Sequence, residues 1–174
     1  TPLPQPGNPR PRIFRLTRDQ AVVNRLGFNN KGHEAAFRRL SSRRRIAGIV
    51  GVNIGANKDA ANRIADYVAG VSRFAPLASY LTVNISSPNT PGLRALQTRE
   101  ALQELLGRLA EARDSLPVEG AAPMFLKVAP DLEEAEIAAI CDVVAEAGLE
   151  AVIVSNTTIG RPADLRSTHA GEAG

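Results

Sequence analysis

Short apolar runs, most of them closed by a side-chain amide, alternate along this chain with longer amphipathic stretches. The runs fall at Ala21–Asn24, Ile49–Ile54, Tyr80–Ile85, Met124–Val128 and Ala151–Ser155, and their β-branched content predicts strands. Between them Ile64, Tyr67, Val68 and Val71 recur at i, i+3, i+4 and i+7, as do Leu102, Leu105, Leu106 and Leu109. Each stretch therefore predicts a helix with one buried face. Strand and helix in regular succession predict a parallel sheet, because neighbouring parallel strands need a crossover long enough to hold a helix.

The expected fold class is α/β. A closed eight-stranded barrel takes about 250 residues, and this chain has 174, so the reading is a partial (β/α)8 TIM barrel of about five βα units. An open doubly wound sheet ranks second, because no Gly-rich fingerprint follows the first run. The opening TPLPQPGNPRPR holds too much proline for a helix or a central strand. Residues 1–20 are accordingly read as an extended lead-in within the barrel domain, and 21–174 as the partial barrel itself.

Local signals predict helix ends. Asp59 and Thr98 are expected to cap two helices, Asp131 and Glu134 to form a capping box, and Gly148 to end the helix that follows. In that last helix Ile137, Ile140, Cys141 and Val144 share the helical spacing, so Cys141 is expected to be core packing and not a nucleophile.

The chain is 44% hydrophobic and 22% charged, enough to bury one core. One cysteine excludes an internal disulfide and fits a reducing compartment. No apolar run approaches bilayer length, and the start carries no basic-then-apolar signal segment. The net charge is +3, with a cluster at Arg38, Arg39, Arg43, Arg44 and Arg45 beside Phe37 and Leu40. Aromatic interleaving of the kind a base-stacking platform needs is missing, so these arginines are expected to form a solvated helix face, with no nucleic-acid partner.

In an α/β barrel the chemistry gathers at the C-terminal ends of the strands. Here those ends carry Asn24, Asn53, Asn84 and Lys127, with Asn156 just past the last run. A lone Asn at a strand end is ordinarily a turn former, but recurrence in unit after unit points to a shared mouth. Side-chain amides offer donor and acceptor together, which suits a planar heterocycle bearing N–H and C=O groups. Lys127 ends an apolar strand, so its ammonium needs a partner or a task. A structural ion pair, stabilisation of a reduced flavin, and a Schiff-base lysine are all open for it. After Asn84 the stretch NISSPNTPGLR forces an irregular loop, through Pro88, Pro91 and Gly92, that carries Ser86, Ser87, Asn89 and Thr90. No metal ligands are expected.

Taken in order, NRLGFNN at 24–30, NIGANK at 53–58, NISSPNTPGLR at 84–94, FLKVAPDL at 125–132 and VSNTT at 154–158 resemble the class 2, quinone-dependent dihydroorotate dehydrogenases. Five such motifs, correctly spaced along nearly the whole chain, make the resemblance specific. It implies FMN-dependent oxidation of (S)-dihydroorotate to orotate in pyrimidine biosynthesis, with electrons passed to a membrane quinone. It implies that Asn53, Asn84, Lys127 and Ser155 contact FMN. Asn24, Arg25, Leu26, Gly27, Phe28, Asn84, Asn89, Asn156 and Thr157 would surround the substrate. Ser87 matches the base that removes the C5 proton; the soluble class has Cys there, so this one position carries the subclass.

A serine hydroxyl is a weak base at neutral pH, so a relay is expected, either a water or a neighbouring hydroxyl such as that of Thr90 or Thr157. The family also has an N-terminal helical segment that docks on the cytoplasmic face of the cell membrane and admits quinone, and C-terminal strands that hold the FMN phosphate. Neither is recognisable in these residues, so the chain is expected to be a fragment that binds FMN poorly by itself. The alternatives kept beside this are a Schiff-base barrel enzyme using Lys127 and a catalytically inactive partial barrel.

Overall fold

The computed structural model describes residues 1–43, 48–87, 94–117 and 122–174. Strands β1 (Ile13–Leu16) and β2 (Ala21–Asn24) come first, followed by α1 (Gly32–Arg43), β3 (Gly51–Ile54) and α2 (Arg63–Phe74). Next are β4 (Tyr80–Asn84), α3 (Arg99–Asp114), β5 (Met124–Lys127), α4 (Glu134–Glu146) and β6 (Ala151–Ile153). Strands β3, β4, β5 and β6 pair in that order, all parallel, each joined to the next through a helix.

The run Ala21–Asn24 is a strand, but it does not belong to that sheet, which corrects the expectation of a first βα unit there. It pairs antiparallel with Ile13–Leu16. The four residues between the two strands are too few for a parallel crossover and enough for a hairpin. A 3-10 turn at Thr17–Asp19 and a left-handed Gln20, φ 50°, make the reversal. Phe14, Leu16 and Val23 alternate onto one face of this hairpin and are buried there. The lead-in 1–20 therefore contains one strand of a hairpin whose other strand lies beyond residue 20.

One face of the parallel sheet makes the core. Ile54, Leu81, Val83, Met124 and Leu126 pack on Tyr67, Val71 and Phe74 of α2, on Leu102, Leu105, Leu106 and Leu109 of α3, and on Ile140, Val143 and Val144 of α4. The four leucines of α3 are fully buried, each stabilising the fold by about 1.5–3 kcal/mol through loss of apolar surface to water. Their spacing is what the helical period predicts.

Helix ends differ from the sequence reading in two places. The N-cap of α2 is Asn62, whose side chain accepts from Ala65 N at 3.0 Å, and not Asp59. The capping box of α4 is Glu133 with Glu136, whose carboxylate accepts from Glu133 N at 2.8 Å. Asp131 is instead bound to the Thr158 hydroxyl and, at 3.1 Å, to Ile159 N. Thr98 is the N-cap of α3 as expected, its carbonyl accepting from Leu102 N at 2.9 Å, while its hydroxyl donates to Ala95 O at 3.3 Å and makes no side-chain cap. Gly148 takes φ 63° after α4, as its position requires.

Cys141 is exposed, against the expectation of core packing. The buried stripe of α4 is Ile140, Val143 and Val144, and Cys141 lies about 100° of helical turn away from Ile140. Ile137, 49% exposed, flanks it.

The described arginines of the basic cluster, Arg38, Arg39 and Arg43, are exposed on α1; Arg44 and Arg45 lie outside the described residues. Among the described residues, no helix is long and apolar enough to cross a membrane.

Candidate active site

Register decides which side chains share the second face of the parallel sheet. Gly51 pairs with Tyr80, Asn53 with Thr82, Thr82 with Phe125, Asn84 with Lys127, and Lys127 with Ile153. Because alternate residues face opposite ways, this face is aromatic at the strand starts and polar at the strand ends. At the starts Tyr80 stacks on Phe125, with centroids 4.9 Å apart, and its ring covers Gly51 so closely that a Cβ there would lie 2.1 Å from Cζ. At the ends stand Asn53, Asn84 and Lys127, the convergence expected of them.

Asn84 is buried and held from two sides. Its backbone carbonyl accepts from the Tyr67 hydroxyl at 2.6 Å, and burial pushes that phenol's pKa above its usual value, keeping it a donor. Its side-chain Oδ1 accepts from Ser86 N at 3.2 Å and from Ser86 Oγ at 2.8 Å. Ser86, fully buried, in turn accepts from Asn156 Nδ2 at 3.0 Å. Two expected site residues 72 positions apart (156 minus 84) are thus joined through one hydroxyl.

Lys127 is half-buried, and its ammonium has neither a hydrogen bond nor an ion pair among the described residues. Of the readings open for it, the structural ion pair therefore finds no partner among the described residues. Ser87 is buried directly after Ser86. Ser155 is half-buried, its hydroxyl donating to Asn156 O at 3.0 Å, and Thr157 N donates to Asn156 Oδ1 at 2.8 Å. Asn53 is exposed at the end of β3.

The segment 24–28 is divided. Phe28, left-handed at φ 54°, lays its ring on Gly55, where a Cβ would come within 2.9 Å of it, so it reaches the end of β3. Arg25 turns elsewhere, pairing with Glu172 at 2.9 Å and stacking on Phe14 at 4.6 Å. Asn24 Oδ1 accepts from Leu26 N at 3.5 Å, and the carbonyls of Leu26 and Gly27 accept from Asn8 N at 3.1 Å and Gln5 Nε2 at 2.9 Å. These bonds hold the strip against the lead-in. Asn89 and Thr90 lie outside the described residues, as do Pro88, Pro91 and Gly92.

Ser86, named in the sequence only as one polar residue of the irregular loop, and Tyr67, named only as helix core, are the residues that hold Asn84 in place. For Ser86 a signal exists, since an Asn two residues before a Ser at a strand end is the spacing of an Asx turn. For Tyr67 there is none, because the helical period marks it only as core.

Grooves exist elsewhere, one of about 740 Å³ between α1 and α2 being lined by His33, Phe37 and Arg73. The strand ends are singled out by chemistry. An ammonium without a partner among the described residues stands in register with an amide whose nitrogen spends no hydrogen on them. That donor set fits a planar ring bearing carbonyls and ring nitrogens, the chemistry of a flavin and of a pyrimidine.

The family model for dihydroorotate dehydrogenase matches residues 1–174. A protein of Mesorhizobium japonicum named dihydroorotate dehydrogenase (quinone) is 64% identical over 98% of this chain and 47% of its own length. A protein of Brucella ovis with the same name is 62% identical over 100% of the chain and 48% of its own. Among solved structures, a ligand-free DHODH from Eimeria tenella superimposes with TM-score 0.95 at 42% identity, covering 100% of this chain and 54% of that one. A DHODH from the same organism in complex with ferulenol gives 0.94 at 40% identity, covering 100% and 52%. The chain spans about half the length of the curated relatives it matches, and the likeness to whole barrels makes its four-stranded sheet part of a TIM barrel. With a family match running from the first residue to the last, the chain belongs to the dihydroorotate dehydrogenase family.

Proposed function

We propose that these residues serve the FMN-dependent oxidation of (S)-dihydroorotate to orotate, with a quinone as final acceptor, in the de novo synthesis of pyrimidines. The observation that carries the reading is the Asn84–Ser86–Asn156 hydrogen-bond chain beside Lys127, whose ammonium has no partner among the described residues, at adjacent strand ends. FMN, when bound, supplies the acceptor for the hydride. Asn53, Asn84, Lys127 and Ser155 hold it, and Asn24 to Phe28, Asn84, Asn89, Asn156 and Thr157 surround the substrate.

The substrate loses two hydrogens, a proton from C5 and a hydride from C6. Ser87 takes the proton and passes it onward through Thr90, Thr157 or a water, because an alkoxide is too basic to persist near neutral pH. Lys127 places its positive charge where negative charge develops, favouring the transition state over the ground state. The quinone step and a peripheral seat on the cytoplasmic face of the cell membrane belong to the same proposal; relatives named dihydroorotate dehydrogenase (quinone) support the first, and the sequence resemblance supports both. A Schiff-base reading of Lys127 leaves the row of amides without a task, and no observation favours it.

Replacing Ser87 by Ala tests the assignment. FMN stays bound, and bleaching of the flavin by dihydroorotate slows about 10²–10⁴-fold, the usual worth of a general base. Reduction at the unaltered rate refutes the role of Ser87.

A further inference from the structure

Two backbone N–H groups fix every proton in the hydrogen-bond chain at the strand ends. A backbone nitrogen only donates, so the atom of Asn84 facing Ser86 N at 3.2 Å is its oxygen. By the same rule, the atom of Asn156 facing Thr157 N at 2.8 Å is its oxygen. The amide nitrogen of Asn156 then points at Ser86 Oγ, 3.0 Å away, and that hydroxyl must accept. Its single hydrogen is left for Asn84 Oδ1 at 2.8 Å. The orientation of both amides, ordinarily ambiguous, follows from chemistry alone.

From this we infer that Ser86 is a positioning residue that locks Asn84 and Asn156 into one donor pattern and takes no part in proton transfer. The inference rests on the function proposed above. With Oδ1 receiving two hydrogen bonds from Ser86, Asn84 keeps both amide hydrogens for a ligand. Asn156 keeps one amide hydrogen and one lone pair of Oδ1. The site therefore selects a ring that turns carbonyl oxygens toward Asn84. Ser86 is fully buried and its hydrogen is committed, so it cannot relay the proton that its neighbour Ser87 removes.

The test uses Ser86→Ala and Ser86→Cys, the second keeping size and a weak donor and acceptor. Without FMN, the side-chain amide protons of Asn156 in the wild-type protein exchange slowly in ¹⁵N-edited NMR spectra. Ser86→Ala speeds that exchange, and Ser86→Cys falls between. In the FMN-loaded enzyme, Ser86→Ala raises the Kd for orotate about tenfold, the cost of one amide left unpaired. The pH profile of flavin reduction keeps its inflections. In the Ser86→Ala/Asn156→Ala double variant the added loss of orotate affinity over Asn156→Ala is smaller than the loss Ser86→Ala causes by itself, since part of the effect of Ser86 runs through Asn156 and only the part through Asn84 remains. Unaltered amide exchange in Ser86→Ala, additive losses in the double variant, or a displaced pH profile each overturn the inference. A wild-type enzyme that binds neither FMN nor orotate overturns the function proposed above, and the bond pattern then stands or falls by the exchange data of the apo-protein.

Discussion

The Tyr67 hydroxyl, carried by α2, donates to the backbone carbonyl of Asn84 at the end of β4, across 2.6 Å of buried space. A helix thereby fixes the height of a site residue from the side opposite to its chemistry. Tyr67→Phe keeps the ring and leaves that carbonyl without its donor, at a cost of about 1–3 kcal/mol. Denaturant unfolding at constant m-value measures the loss, and under the proposed function FMN affinity falls with it because Asn84 is then held only through Ser86. Unchanged stability and affinity count against this link.

Lys127 gives a second prediction. Its ammonium has no protein partner among the described residues, so neutralising it orphans no buried carboxylate. Lys127→Gln therefore leaves the unfolding midpoint nearly unaltered. Under the proposed function it slows flavin reduction about 10²-fold, in line with loss of one preorganised electrostatic group, and lowers the flavin's reduction potential. A large loss of stability with wild-type reduction kinetics reverses the assignment from functional to structural.

A third concerns pH. His33 is buried edge-on to Phe74, with centroids 5.0 Å apart. Burial first, and also the positive charge of Arg73, push its pKa from 6.5 down to about 4. Between these values the unfolded chain binds a proton that the folded one refuses, so stability rises with pH there. The contribution is complete above about pH 6.5 and is lost as pH falls toward 4. Urea midpoints at several pH values across this window, compared with those of His33→Gln, measure it. The variant gives the flatter profile, and parallel profiles exclude His33 as the source.

The parts legible in the sequence were those written in a local period. Leu102, Leu105, Leu106 and Leu109 announced their shared face, and all four are buried. Asn84 and Lys127 ended apolar runs, and parallel register brings them side by side. What stayed hidden depends on partners distant in the chain or on small rotations. The run at 21–24 looks the same in a barrel as in a hairpin, and only pairing with Ile13–Leu16 distinguishes them. One helical position separates exposed Cys141 from buried Ile140, and no periodicity argument resolves so fine a rotation when the apolar stripe is wide. Ser86 gains its importance from Asn156, 70 residues away.

Tyr80 lies over Gly51, at the end of the sheet away from the amides. The consequence falls on descent. A side chain at position 51 has to displace the ring from Phe125, on which it stacks, so glycine is what lets the tyrosine lie flat there. The two positions share one volume, and related sequences should show them changing together.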